Sequence, residues 1–438
     1  MKRRFSTSLP VALTVALALV LAPFVAHADE GAAPPKIDTG DTAWLLISTA
    51  LVLLMTPGLA LFYGGMVRKR NVLSTFMHSL FSLAVVSVQW VVIGYSLSFG
   101  TSFHGLVGGF DYVFLRGDVV TSVHGTTPTL AFMAFQMMFA GITPALISGA
   151  FAERIRFKAY AIFVVLWSTL VYDPVAHWVW ADGGWLFKMH ALDFAGGTVV
   201  HLTAGLSALV CAILIGKRLG YPGPKFIPHN LTMTVTGAGL LWFGWFGFNA
   251  GSALASNHSA ALALVTTHVA AAAGALGWLA AEYKHRGKPS ALGAASGIVA
   301  GLVCITPGAG FVAPWASIVI GLIAGVVCYA AVVLKGRFKY DDALDVFGVH
   351  GVGGLLGALL TGVFAQKAFT GYGDGLLFGG VKQFGVQVVG VLAAGTYAIG
   401  MTLVIWKITG LITPIRVADA DEKEGLDTAL HGEEGYVG

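Results

Sequence analysis

The sequence predicts an all-α polytopic membrane protein of eleven transmembrane helices: a five-plus-five inverted repeat plus a final helix. Three observations carry that prediction. Hydrophobic residues make up 56% of the 438 positions and charged residues only 11%, against about 25% charged in a soluble globular protein. The mean hydropathy is +0.78. Apolar segments of roughly 20 residues, long enough to cross a bilayer as helices, recur along the chain. Basic residues cluster in alternate loops between them, which the positive-inside rule assigns to the cytoplasm. The 58 glycines fit this class, because small residues let helices approach where lipid supplies no hydrophobic drive. The net charge of +4 therefore reports topology and implies no acidic or nucleic-acid partner; the bilayer is the partner.

The N-terminus reads as a secretory signal peptide over residues 1–28. Lys2, Arg3 and Arg4 are its basic region, Leu9 to Val25 its apolar core, and Ala26-His27-Ala28 a small-x-small cleavage site. The mature chain is expected to start outside a bacterial inner membrane. A transmembrane domain then occupies 29–411. Its spans are expected at about 42–65, 72–99, 127–151, 158–179, 194–215, 229–249, 257–281, 289–305, 313–334, 344–365 and 383–409. Arg68, Lys69 and Arg70; Arg154, Arg156 and Lys158; Lys217, Arg218 and Lys225; Lys284, Arg286 and Lys288; and Lys335, Arg337 and Lys339 fall in alternate loops. The other loops and the mature N-terminus hold only Lys36, Arg116, Lys188, Lys367 and Lys382. An outside start and eleven crossings put the C-terminus inside, in agreement with the charge bias. A polar tail, 412–438, follows.

Five spans per half require the halves to be inverted, a common transporter plan with its site near the midplane. His201 lies on the fifth span and His350 on the tenth, each in an apolar stretch with no charged partner. An ionisable side chain in hydrocarbon is by default a functional-site candidate. Asp193 precedes His201 by eight residues and Asp345 precedes His350 by five. At ~1.5 Å rise per residue the histidines lie roughly 12 and 8 Å along helices that enter from opposite sides, so both imidazoles reach the central region.

Aromatic residues form the second cluster. Phe135 and Phe139 share a helix face. Trp242, Trp245, Phe246 and Phe248 crowd the sixth span, which ends in GWFGFNAGS beside Ser252, and Trp180 closes the fourth. Aromatic faces attract cations, by about 2 kcal/mol when desolvated, although interfacial tryptophans commonly serve as headgroup anchors. Asp193 has two readings: a cap of the fifth helix, or a carboxylate that orients a recruiting site. Asp345 is expected to cap the tenth helix. Cys211, Cys304 and Cys328 read as packing residues. His78 and His177 are placed near span ends or interfaces, His268 reads as a hydrogen-bonded packing residue, and Glu153, Arg154 and Arg156 as surface pairs in a loop.

The stretches ITPALISGAFAERIRF, HALDFAGGTVVHLTAG, GWFGFNAGSA, RGKPSALGAASGIVAGLVCITPGAG and DVFGVHGVGGLLGALLTGVFA closely resemble the ammonium transporter family (Amt/Mep/Rh) in its bacterial branch. TPGLALFYGGMVRKRNVLS and EGLDTALHGEEGY are similar to it as well, so the resemblance runs the length of the mature chain. It implies a homotrimer with one pore per subunit, ammonium or ammonia as substrate, no cofactor and no enzymatic activity. It places an ammonium-recruiting site on Trp180, Ser252 and Phe135, a stacked gate on Phe139 and Phe248, and pore histidines on His201 and His350. Trp245 would line the wall and Asp193 support the site. The tail, with Gly425 at an unusual backbone turn, would couple subunits and adjoin a surface for a PII-type signalling protein.

Elementary chemistry fits that implication. Ammonium and potassium ions are similar in size, but only ammonium can lose a proton, and burying a bare charge costs far more than burying a neutral molecule. Two neutral imidazoles sharing a hydrogen bond leave donor and acceptor positions for substrate and could relay a proton separately. Two other classes compete. Paired histidines could ligate a haem, although both spans lack an arginine to meet propionates. An ammonium sensor that conducts little is the other.

Overall fold

The computed structural model describes residues 36–223 and 226–436. The expected signal peptide at 1–28 and Lys225 lie outside them. Among the described residues ten helices are long and apolar enough to cross a membrane: α1 (Thr39–Met66), α2 (Lys69–Phe99), α3 (Thr129–Phe151), α4 (Phe157–Lys188), α5 (Gly197–Ile215), α6 (Leu231–Ala253), α7 (His258–Arg286), α9 (Pro314–Phe338), α10 (Phe347–Phe364) and α11 (Val381–Ile412). Between α7 and α9 lies α8 (Ala291–Ile305), which is apolar but only 15 residues long. That is about 22 Å of helix, short of a ~30 Å hydrocarbon core. With α8 the expected eleven spans are all present. Short hairpins in the loop after α2, β1 (Ser102–Phe103) with β2 (Val107–Gly108) and β3 (Val123–His124) with β4 (Thr127–Pro128), are a small departure from an all-helical chain.

Helix starts follow local chemistry. The side chains of Asp38, Asn230, Asn257 and Ser290 accept hydrogen bonds from the first turns of α1, α6, α7 and α8, and Pro314 opens α9 where no N–H is needed. Five spans contain π-helical turns: Trp90–Gly94 in α2, Ser168–Tyr172 in α4, Gly197–Leu202 at the start of α5, Phe246–Ala250 in α6 and Phe347–Gly351 at the start of α10. Such turns are rare and concentrate at functional sites. Within α4 the spanning part ends at Trp180, followed by the separate turn Trp185–Lys188.

The repeat is visible locally. α5 and α10 each begin with a π-helical turn carrying the histidine and continue as a 13-residue α-helix, Thr203–Ile215 and Val352–Phe364. Because successive spans alternate in direction, the fifth and tenth run oppositely. They cross at Gly205 and Gly351, where a Cβ on Gly205 would collide with the Gly351 backbone. Only hydrogen fits there, and that sets how close the two histidine-bearing helices come.

The basic loops pack more tightly than the sequence suggested. Glu153 and Arg154 are fully buried rather than surface pairs. Glu153 is bridged by Arg68 and Arg218, both at 3.0 Å, and Arg218 also pairs with Asp341 at 2.8 Å. Arg154 donates to the backbone oxygens of Ala150, Ala152, Gly216 and Asp341. The cause is a convergence of four loops whose carbonyls and carboxylates face one another away from water. Arg156 donates from Nε to Arg416 O at 3.1 Å. The end of the chain joins this assembly: Arg156 N donates to Ile415 O and Val417 N to Arg154 O. Asp427 accepts from the backbone N–H of Leu73 (3.1 Å) and Ser74 (2.7 Å) in α2. Gly425 stands at φ +113°, and a Cβ there would strike Arg70.

Candidate functional site

His201 and His350 come together inside the bundle, both fully buried. Their Nδ1 atoms are 3.2 Å apart and the rings lie nearly parallel, 21° between planes with centroids 5.3 Å apart. Two facing Nδ1 atoms make a hydrogen bond only if one carries the proton and the other a lone pair. The rings are then opposite tautomers, and one Nε2 is a donor while the other is an acceptor. The His201 Nε2 is buried with no protein partner among the described residues. Both rings line a narrow cavity whose other walls include Leu59, Ile142, Leu146, Trp245 and Phe248. Apart from the imidazoles, one indole and the Met55 thioether its lining is hydrocarbon or phenyl, with room for roughly one water-sized molecule.

Trp245 stacks on His201 at 5.3 Å and donates from Nε1 to Thr306 Oγ1 at 2.9 Å. Thr306, just beyond α8, thus fixes the indole that supports the histidine. At one end of the cavity Phe248 lies 6.0 Å from His201 and stacks on Phe139 at 4.1 Å, 23° between planes. Phe139 meets Phe135 edge-on at 5.0 Å and Trp180 at 6.0 Å. Phe135, Phe139 and Phe248 are fully buried, whereas Trp180 is half-buried. Ser252 donates to Phe248 O at 2.8 Å, which occupies its hydroxyl proton and leaves its lone pairs to accept. It follows Gly251, where a Cβ would press on Ser48 and the Phe135 ring. The expected aromatic residues therefore form one continuous line from Trp180 to the histidines. At the other end His350 also borders a wider opening lined by Tyr63, Trp278, Glu282, His285 and Asp345.

Asp193 spends its carboxylate on the start of α5. Oδ1 accepts from Gly196 and Gly197, and Oδ2 from Thr198 and Val199, at 2.7–3.0 Å. Four N–H bonds and the positive end of the helix hold the π-helical turn that carries His201. Trp180 Nε1 donates to Asp193 O at 2.9 Å, so the same residue also positions that indole. On α10 the capping residue is Asp342, not Asp345: Asp342 Oδ2 accepts from Phe347 N at 2.8 Å. Asp345 stands at φ +60° and pairs with Lys335, which turns its carboxylate away from the helix start. Asp342 precedes His350 by eight residues, the spacing of Asp193 to His201. That equal spacing was the signal in the sequence that could have found it.

Other histidines resolve differently. His78 is buried within α2 with neither ring nitrogen partnered among the described residues, against Tyr160 at 4.5 Å. His177 is buried and bonded to Ser98 O (2.9 Å) and Ser102 Oγ (2.7 Å). His268 is exposed on α7 and stacks on Trp242 at 5.2 Å; among the described residues a ring contact, not a hydrogen bond, holds it. Cys211, Cys304 and Cys328 are free and buried.

Comparison with known proteins bears on this geometry. Residues 43–436 match the model of the Ammonium Transporter Family. The chain belongs to the ammonium transporter family. An "Ammonium transporter" of Bacillus subtilis is 50% identical over 401 residues, 91% of this chain and 98% of that protein. Among solved structures, Mep2 of Saccharomyces cerevisiae superposes with a TM-score of 0.81 at 38% identity, covering 87% of this chain and 88% of its own. A structure titled "Sensor Amt Protein" gives 0.83 at 30% identity, covering 89% and 98%. Membership of this transporter family makes the chain a multi-pass membrane transporter and not an enzyme.

Proposed function

We propose that the protein carries ammonium across a bacterial inner membrane by separating its proton from ammonia. Trp180, Phe135 and Ser252 recruit the cation: the aromatic faces attract it and the serine oxygen accepts one of its hydrogens. Phe139 and Phe248, stacked at 4.1 Å, block passage until one ring moves. Beyond them the lumen offers a charge no counter-ion among the lining residues, so a potassium ion that has shed its water finds no compensation. Ammonium sheds a proton instead, and ammonia crosses against His201, His350 and Trp245. The Nδ1–Nδ1 contact of 3.2 Å is the observation that carries this reading, because it forces donor and acceptor roles on the two Nε2 positions and links them for proton relay.

Asp193 acts here as a positioning residue. On this reading the basic loops and the tail are cytoplasmic and the mature N-terminus is outside. The subunits form a homotrimer with one pore each, and the docked tail borders the surface met by a PII-type protein, in the service of nitrogen assimilation.

The test is an ammonium pulse applied to liposomes containing the protein, with current and internal pH recorded together. Ammonium-dependent signals above those of protein-free liposomes, absent with potassium, are expected. Signals equal to the protein-free control would end the transport reading. A stoichiometric Soret band in the purified protein would instead favour a haem protein.

A further inference from the structure

Three of the five π-helical turns in the spans serve the line of residues around the histidines. The other two, Trp90–Gly94 in α2 and Ser168–Tyr172 in α4, lie outside it and flank a different polar pair. Gln89 immediately precedes the first and Asp173 immediately follows the second. Gln89 Nε2 donates to Asp173 Oδ2 at 2.7 Å and to Thr169 Oγ1 at 3.2 Å. Asp173 is completely buried and Gln89 nearly so.

Two oxygens are left over, Gln89 Oε1 and Asp173 Oδ1, both buried and both without a donor among the described residues. They are the second oxygens of the two groups already joined. No Lys, Arg or His forms an ion pair with Asp173 among the described residues. Titratable groups on the packed elements are His78 and Tyr95 on α2, Tyr160, Tyr172 and His177 on α4, Tyr397 on α11, and Asp193 ahead of α5, while Lys69, Arg70, Lys158, Lys188, Lys382 and Lys407 stand toward the ends of these spans. His177 is committed to Ser98 O and the Ser102 hydroxyl, and Asp193 to the start of α5. An ionised Asp173 would thus be a buried charge bonded to Gln89, with the Ser98 hydroxyl beside it and no counter-ion, an arrangement too costly to persist in a membrane interior. One added proton resolves both defects, since a protonated Oδ1 becomes a donor and Oε1 the acceptor it lacks.

We propose that Asp173 and Gln89 form a proton-binding site outside the histidine cavity, a neutral carboxylic acid–amide pair that joins α2 to α4. The pair sits seven residues before Trp180 on the same span, so it fixes the helix that presents the outer indole. Losing the proton would put an uncompensated charge between the two π-helical turns and push them apart.

The test is infrared spectroscopy of the full-length protein in lipid at neutral pH, comparing the wild type with Asp173→Asn and Gln89→Leu. A protonated-carboxyl stretch present in the wild type should vanish in Asp173→Asn. In Gln89→Leu, where the acid survives without its amide, the band should shift. Thermal unfolding across pH gives the second readout. The wild type must retain a proton that its unfolded chain releases above about pH 3.9. The folded-to-unfolded ratio of Asp173→Asn relative to wild type should therefore climb by up to about tenfold per pH unit above that value. No band difference between wild type and Asp173→Asn, or a stability offset constant with pH, would overturn the proposal. Should the asparagine variant fail to fold, an unshifted band in Gln89→Leu overturns it equally.

Discussion

Asp193 and Asp342 occupy corresponding places in the two halves, each eight residues before a histidine and each accepting backbone N–H bonds at the start of the helix that carries it. The histidines so positioned meet at 3.2 Å. The pair of caps is the local means by which an inverted repeat aims two side chains, from opposite directions, at one point.

The histidine pair gives the most direct prediction. Replacing either His201 or His350 by alanine removes one partner of the Nδ1 contact, and the ammonium-driven current should fall at least about tenfold, or ~1.4 kcal/mol on the barrier. Aspartate at either position keeps a hydrogen-bonding group that can hold charge, and should weaken discrimination against potassium. Currents are compared in liposomes at matched protein density. Wild-type current and selectivity in both alanine variants would reduce the histidines to packing residues.

Phe139→Ala or Phe248→Ala should open the gate without supplying or removing a relay group. Each deletes a buried ring, so a loss of about 3–5 kcal/mol in stability is expected. Ammonium over potassium selectivity should nonetheless survive in the folded fraction. The same liposome assay, run on folded protein recovered by size exclusion, separates the two effects.

Gly205→Ala tests whether backbone approach sets the histidine distance. The added methyl meets the Gly351 backbone, which cannot move as a side-chain end could. Overpacking of this kind costs about 1–3 kcal/mol, and the current should be impaired although neither histidine is changed. An alanine variant that melts and conducts like wild type would mean the crossing has slack.

The buried loop assembly predicts an acid transition. Burial pushes the Glu153 carboxyl up, but Arg218 and Arg68 overcome that and hold it below the usual carboxylate range. A depressed carboxylate stabilises the fold above its unfolded value, and that contribution fades as pH falls through the folded value. Wild-type stability attributable to Glu153 should therefore begin to drop below about pH 4.3. Glu153→Gln should cost about 3 kcal/mol at neutral pH, because it takes from Arg68 its ion-pair partner and leaves the buried Arg218 with Asp341 alone, and should flatten the acid slope. Melting temperatures of both proteins across pH in one detergent decide it; equal slopes would remove Glu153 from the transition.

The docked tail predicts a separable effect. Deleting residues beyond Arg416 removes the Asp427 bonds to α2. Gentle extraction should still yield a particle about three times the subunit mass, with altered transport or lost PII binding. Asp427→Ala should loosen the tail to proteases at a cost of about 1 kcal/mol, typical of a lost helix cap. Unchanged transport and unchanged PII binding in the deletion would make the tail a spectator.

What the sequence determined alone is what can be read along one helix at a time. Span count, the alternation of basic loops and the two apolar stretches around His201 and His350 are local signals, because hydrocarbon thickness and backbone hydrogen bonding act on each span separately. What only the tertiary structure decided depends on atoms from distant spans. The Gly205–Gly351 crossing, the Trp245–Thr306 bond and the burial of Glu153 between Arg68 and Arg218 have no signature within a single segment. Asp342 and Asp345 show the boundary most clearly. Both are acids just ahead of α10, and proximity favoured Asp345. Lys335, reaching across from the end of α9, claims that carboxylate and leaves the helix start to Asp342. An ion pair between separate elements outranked nearness along the chain, and no reading of a single span could have weighed it.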